Sequence, residues 1–195
     1  MLPPPSRTAT VRSRVPQAGL LETHWPSFTP FLLALLDDTD DRSRAHGLRA
    51  AEVFVRKCPP VILAERGIGR VLEEAILPTL QFLPSHTPEA ESAKLLEPAY
   101  ETLVLLARTR FSYDYDVPSK ISLLGKLLRE GIFSAYSHAS EYPRVVHVLV
   151  VQARSIIDEL GIYATKYLKV RGAPLPPQAT RPAQTHRTRA NSHRT

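Results

Sequence analysis

Apolar residues recur every three or four positions from Trp25 to Leu160, in runs cut by proline and acidic clusters. That period permits helices and little else. Phe28, Phe31, Leu32, Leu35 and Leu36 form one stripe, ended by Asp37-Asp38-Thr39-Asp40-Asp41. Leu48, Ala51, Phe54, Val55 and Cys58 form a second, which Pro59-Pro60 stops. Gly67 and Gly69 open a third, Ile68 to Leu83, with a kink expected at Pro78. Thr87-Pro88-Glu89 reads as a helix start, with Thr87 as N-cap and proline at the first helical position. The run it opens continues to Ala107, with a second internal proline at Pro98.

A fifth helix starts at Pro118-Ser119 and places Ile121, Leu124, Leu128, Ile132 and Ala135 on its inner face. The sixth, from about Glu141 to Leu160, has a Val-rich centre that could be a strand. Its ~20 residues of sustained helical period exceed an ordinary strand. Because it is apolar over most of its circumference, it is expected to lie between neighbours. The six helices pair as 26–58, 68–109 and 118–160. The repeat of about 45 residues falls within the ~40–47 of HEAT or armadillo repeats. The expected fold is therefore all-α: an α-solenoid of about three HEAT-like hairpins over residues 25–169. A Pro/Arg-rich segment, 1–24, and a basic tail, 170–195, are both expected to be disordered.

The net charge of +6 suggests nucleic acid until it is located. Arg7, Arg12 and Arg14 against Glu22 lie in the first 24 residues, and Arg171, Arg181, Arg187, Arg189 and Arg194 lie after 169. Of 25 basic and 19 acidic side chains, these ends hold eight and one, leaving 17 and 18 for residues 25–169. The repeats are nearly neutral. A basic tail could bind nucleic acid non-specifically, which is the rival functional reading. The single cysteine, Cys58, forbids an internal disulfide and fits a reducing compartment, cytoplasmic or nuclear. The N-terminus lacks the apolar stretch of a secretory signal, and no run approaches the ~20 apolar residues of a membrane span.

Motifs for chemistry do not survive scrutiny. Read from Asp38, calcium-loop spacing meets Asp40 and then the cation Arg42, without the required glycine and final glutamate. Gly67-Ile68-Gly69-Arg70 has no preceding strand and no following Lys-Ser/Thr, so the glycines serve a tight helix entry rather than a phosphate. His46, His138 and His147 lie on different helices with no ligand spacing. Cys58 beside Lys57 reads as a buried small residue. Neither a catalytic residue, a metal set nor a cofactor is expected.

Two features point to structure and partners. Asp38 and Arg44 occupy the positions at which a HEAT-repeat turn places Asp at the end of one helix and Arg at the start of the next. There the Asp is expected to cap backbone donors and to pair with an Arg of its own or an adjacent repeat. Ser43 stands where an apolar residue is usual. The loop containing Tyr113, Asp114, Tyr115 and Asp116 alternates aromatics and acids, which suits a partner's basic pocket.

Several stretches together resemble the Tti-two family (Tel-two-interacting protein two). They are Trp25-Pro26 into Phe31-Leu32-Leu33 and Asp37-Asp38; Ile76-Leu77-Pro78 to Leu83-Pro84 with Thr87-Pro88-Glu89; Leu123-Leu124-Gly125-Lys126-Leu127-Leu128-Arg129-Glu130-Gly131-Ile132; and Leu160-Gly161-Ile162-Tyr163. The resemblance implies a noncatalytic scaffold subunit of the TTT cochaperone complex. Its partners would be two larger helical-repeat proteins, and the complex would pass phosphatidylinositol-kinase-related kinases to the ninety-kilodalton heat-shock chaperone. Relatives continue helically beyond the position of Lys169, whereas here composition changes at Val170 to Pro, Thr, Arg and His. The expectation is a shortened chain whose last repeat lacks a polar cap, leaving residues 25–169 poorly soluble on their own.

Overall fold

A computed structural model describes residues 17–112 and 116–168, with side chains placed from His24 to Tyr167. All the described secondary structure is helical. The α-helices are α1 (Gln17–Leu36), α2 (Asp41–Lys57), α3 (Pro60–Glu65), α4 (Ile68–Ile76), α5 (Glu89–Arg110), α6 (Val117–Lys126), α7 (Ser134–Ala139), α8 (Pro143–Leu160) and α9 (Thr165–Leu168). Between them lie 3₁₀ turns at Leu77–Gln81 and Gly161–Ala164 and a π-helical stretch at Leu127–Phe133.

The six sequence-derived runs reappear, with local corrections. α1 begins at Gln17, within the N-terminal segment expected to be disordered. Pro59-Pro60 does end α2, but Pro60 also starts the short α3. A proline whose missing N–H forbids continuation suits a first helical turn, where that donor has no partner anyway. At Pro78 the helix changes type instead of merely bending: α4 stops at Ile76 and a 3₁₀ turn follows. α5 runs unbroken through Pro98. Its first bonds close on the Pro88 carbonyl, and no side chain caps it, so Thr87 does not act as N-cap. The fifth helix passes from α to π and back to α. A period of 3.6 read from apolar spacing does not register that change.

α1 packs on α2, α4 and its 3₁₀ turn pack on α5, and the π-helical stretch and α7 pack on α8. The second helices of the three pairs then lie side by side, α2 on α5 and α5 on α8. The buried residues form one apolar cluster through all three pairs. α5 supplies Leu95, Leu96, Ala99, Tyr100, Leu103, Val104, Leu106 and Ala107 to it.

Two burial expectations hold only in part. Leu32 and Leu36 of α1 are buried, but Phe28 and Phe31 are 50% and 68% exposed. Trp25, Thr29, Leu32, Leu33 and Leu36 form the stripe that meets the core. The apolar band of α1 is simply wider than the contact it makes. On α8, Val145, Val148, Leu149, Ile156 and Leu160 are buried while Val150 and Val151 stand 61% and 48% exposed. α8 does pack against both α5 and the fifth helix, through α6, the π-helical stretch and α7, but these contacts leave Val150 and Val151 uncovered.

At the far end, Tyr167 of α9 folds back onto α6. A Cβ added at Gly125 would lie 1.9 Å from the Tyr167 hydroxyl oxygen, so only glycine admits the ring. Arg129 and Lys166 lie 5.6 and 4.8 Å from that ring's centroid. Gly125→Ala is expected to expel Tyr167 and lose about 1–3 kcal/mol of local packing. Hydrogen exchange should then quicken about tenfold or more in 161–168 and stay unchanged in α5. Unchanged exchange at 161–168 would show that the ring is not held there.

Candidate functional site

The turn between α1 and α2 is built from its aspartates. Asp40 is the N-cap of α2: its Oδ2 accepts from the Ser43 backbone N–H at 2.9 Å and from the Ser43 hydroxyl at 3.1 Å. That backbone bond, then the hydroxyl bond, holds the Asp40 carboxyl below its ordinary pKa. Asp38 turns its Oδ1 to the Asp40 N–H at 3.0 Å. Arg44 does close on Asp38, but through the main chain: its Nε and one terminal nitrogen donate to the Asp38 carbonyl at 3.1 and 2.7 Å. The carboxylate–guanidinium pair expected for a HEAT-like turn is therefore replaced by a clamp on a carbonyl of the turn beyond the end of α1.

The same guanidinium lies 4.4 Å from the centroid of Phe82, in the second pair. Arg44 thus ties the α1–α2 turn to the segment between the Leu77–Gln81 turn and α5, by a cation–aromatic contact rather than an ion pair. Beside it opens a cleft of about 410 Å³ between α1 and α4, walled by Leu33, Ala34, Ala75 and Pro78 with Asp37 and Glu74 at its lip.

Charged side chains join the remaining pairs. Arg110 of α5 donates to Glu73 of α4 at 3.0 Å, and both are largely buried. Glu159 of α8 receives Arg108 of α5 at 2.9 and 2.5 Å and Lys120 of α6 at 2.8 Å. Burial raises the Glu159 pKa. The hydrogen bonds from Lys120 and Arg108, with their charges, outweigh it and hold the carboxyl below its ordinary value. Sequence reasoning did not find this triad, whose members stand 51 and 39 residues from Glu159. Only tertiary packing brings them together.

The other candidates have structural roles or open surroundings. Cys58 is buried, and burial alone pushes its thiol up to about 11, the opposite of a reactive thiolate. Gly67 sits at φ +73°, the left-handed region that enters α4, and a Cβ at Gly69 would meet the Leu63 carbonyl oxygen and the Arg110 side chain at 2.7 Å. His46, His138 and His147 are exposed on separate helices. Among the described residues no three His, Cys, Asp or Glu side chains gather as a metal site. Asp116 stands half-buried before α6 without a side-chain cap bond; Tyr113, Asp114 and Tyr115 lie outside the described residues. The basic tail of the rival reading also lies outside them.

What the described surface offers is apolar area. Besides Phe28, Phe31, Val150 and Val151, Phe133, Tyr136, Ile162 and Tyr163 are exposed, a distribution suited to protein contacts. No described helix is long and apolar enough to cross a membrane. A family model described as the Tti2 family matches residues 9–170. The chain belongs to the Tti2 family. No solved structure matches it. The Tti2 match spans every described element, so the α1–α2 turn and the Glu159 triad both lie within the family's region.

The triad makes a pH-dependent prediction. Because the folded carboxyl is lowered, its stabilisation is present above Glu's ordinary value of 4.5 and lost as pH falls through the folded value. Glu159→Gln should cost about 1–2 kcal/mol at neutral pH, since Arg108 is partly solvated. Urea unfolding of both proteins should show that gap closing in acid. A gap independent of pH would assign the loss to packing instead.

Proposed function

We propose that this chain is a noncatalytic scaffold subunit of a TTT-type cochaperone complex. In this reading its three helical pairs stack as a HEAT-like α-solenoid. It binds two larger helical-repeat subunits, and the assembly supports maturation of phosphatidylinositol-kinase-related kinases by passing them to the heat-shock chaperone in the cytoplasm or nucleus. The observation that carries the reading is membership of the Tti2 family across residues 9–170. Two features support it: the side-by-side row α2, α5, α8, as expected for stacked pairs, and apolar residues left on the outer faces of α1 and α8. The loop Tyr113–Asp116 is a further proposed contact, offering carboxylates and ring faces to a partner's basic group.

Co-expression of the full chain with the two larger subunits tests the proposal. The three should co-elute in size-exclusion chromatography, with or without residues 170–195. Depleting the chain from cells should lower the steady-state amount of the kinases without lowering their messenger RNA. Failure to co-elute with either subunit overturns the scaffold reading. Binding to nucleic acid that needs Arg181–Arg194 and falls steeply with salt, in a chain that captures no subunit, establishes the rival.

A further inference from the structure

The 410 Å³ cleft beside Arg44 continues as a groove along the seam of α1 and α4. Helical spacing sets Pro30 one turn before Leu33 and Ala34, Pro26 one turn earlier still, and Val71 one turn before Ala75. All three are exposed, so the groove is apolar along its length. Its charges gather at one end, where both helices finish: Asp37 follows α1, and Glu74 lies in the last turn of α4. Neither helix carries a basic residue in its last turn, so the negative ends of both dipoles add to the two carboxylates.

Among the described residues Asp37 has no ion-pair partner, and Glu74 has only the exposed Arg70 at 3.3 Å. Arg44, the cation beside them, is committed to the Asp38 carbonyl and the Phe82 ring. The chain that leads into α1 has the complementary composition. Residues 1–16, outside the described residues, carry Arg7, Arg12 and Arg14 and no acid. They join the helix that forms one wall of the groove. The arginines after 169 leave instead from α9, whose Tyr167 is seated on Gly125 of the third pair.

The lengths agree. From Gln17 to Leu33–Asp37, α1 rises about 24–30 Å. Extended chain covers about 3.3 Å per residue, so about eight residues returning along α1 span most of that height. With about two or three more to reverse direction at Val15-Pro16, the long side chain of Arg7 comes level with Asp37 and Glu74.

We propose that residues 6–12 of this same chain return along α1 and lie in the groove. In an extended segment Arg7, Ala9 and Val11 share one side, with Thr8, Thr10 and Arg12 on the other. Arg7 pairs with Asp37 and Glu74, its aliphatic stem lying on the apolar wall. Ala9 and Val11 meet Ala75, Pro30 and Val71, while the threonines and Arg12 face water. The segment covers the apolar seam between the first and second pairs. The proposal concerns the chain alone and does not depend on the cochaperone reading.

The test places a nitroxide on Ser6→Cys in the full ¹⁵N-labelled chain, where the buried Cys58 stays unlabelled. Amide signals of Ala34, Asp37, Glu74 and Ala75 should be lost while the nitroxide is oxidised and return when it is reduced, with those of α8 unaffected. Arg7→Glu, outside the apolar core, should lower the docked population about fivefold and restore most of these signals, whereas Arg7→Lys should keep the loss. Loss confined to the first turns of α1, as an undocked tether gives, overturns the proposal, and so does equal loss in Arg7→Glu. A mixture of ¹⁵N chain without the label and ¹⁴N chain carrying it separates the sources. Loss of the groove signals in that mixture assigns the groove to a second copy and overturns it too.

Discussion

α5 is buried on too many sides to stand without the other two pairs. Most of its circumference is enclosed, from Ser92 and Leu95 through Tyr100 and Thr102 to Ala107, leaving one exposed stripe at Lys94, Glu97, Glu101 and Arg108. No single helical hairpin can cover such a helix, because its own partner meets one face only. α4 and the Leu77–Gln81 turn take one side, α2 another and α8 a third. The apolar cluster is consequently one body, and the polar bonds within it are local adjustments. Ser92 donates to the Phe82 carbonyl, and Thr102 donates to the carbonyls of Pro98 and Leu48, the last reaching into α2.

Around that helix the charged ties have a common logic. Arg110–Glu73, Arg108–Glu159–Lys120 and the Arg44 clamp beside Phe82 each join elements that already touch through apolar residues. Ion pairs at partly solvated seams add little to stability, about 0–1 kcal/mol each for exposed pairs. Their geometric demand is stricter: a guanidinium held by two bonds fixes the register of one pair on the next. Packing supplies the adhesion and the charges supply the register. That division leaves the outward apolar residues of α1 and α8 outside the core's own demands.

The helices were legible because a helix is a local object whose period is written in consecutive residues. Asp40, Pro60 and Pro118 mark boundaries for reasons that need no tertiary knowledge, although Pro60 was read as a stop and is also a start. The side of α1 that meets the core was not legible. A stripe including Phe28, Phe31 and Leu35 has two edges, and only the position of α2 and α4 decides which is covered. The π-helical stretch escaped for a related reason, since Leu127, Leu128, Gly131 and Ile132 are buried under either winding. Of the candidate site, the sequence identified Asp38 and Arg44 as neighbours but not the atoms that meet. Glu159 carried no signal, since nothing near it in sequence sets it apart from an ordinary surface acid.

Native-state hydrogen exchange of the full chain, followed at increasing sub-denaturing urea, addresses the shared-core account most directly. If α5 is the helix on which all three pairs depend, amides of Leu95–Leu106 exchange slowest, and only through the opening that also releases the buried faces of α2 and α8. Exchange of α5 before α2 or α8, with those helices still protected, would show that the pairs stand independently and that α5 is not their common core.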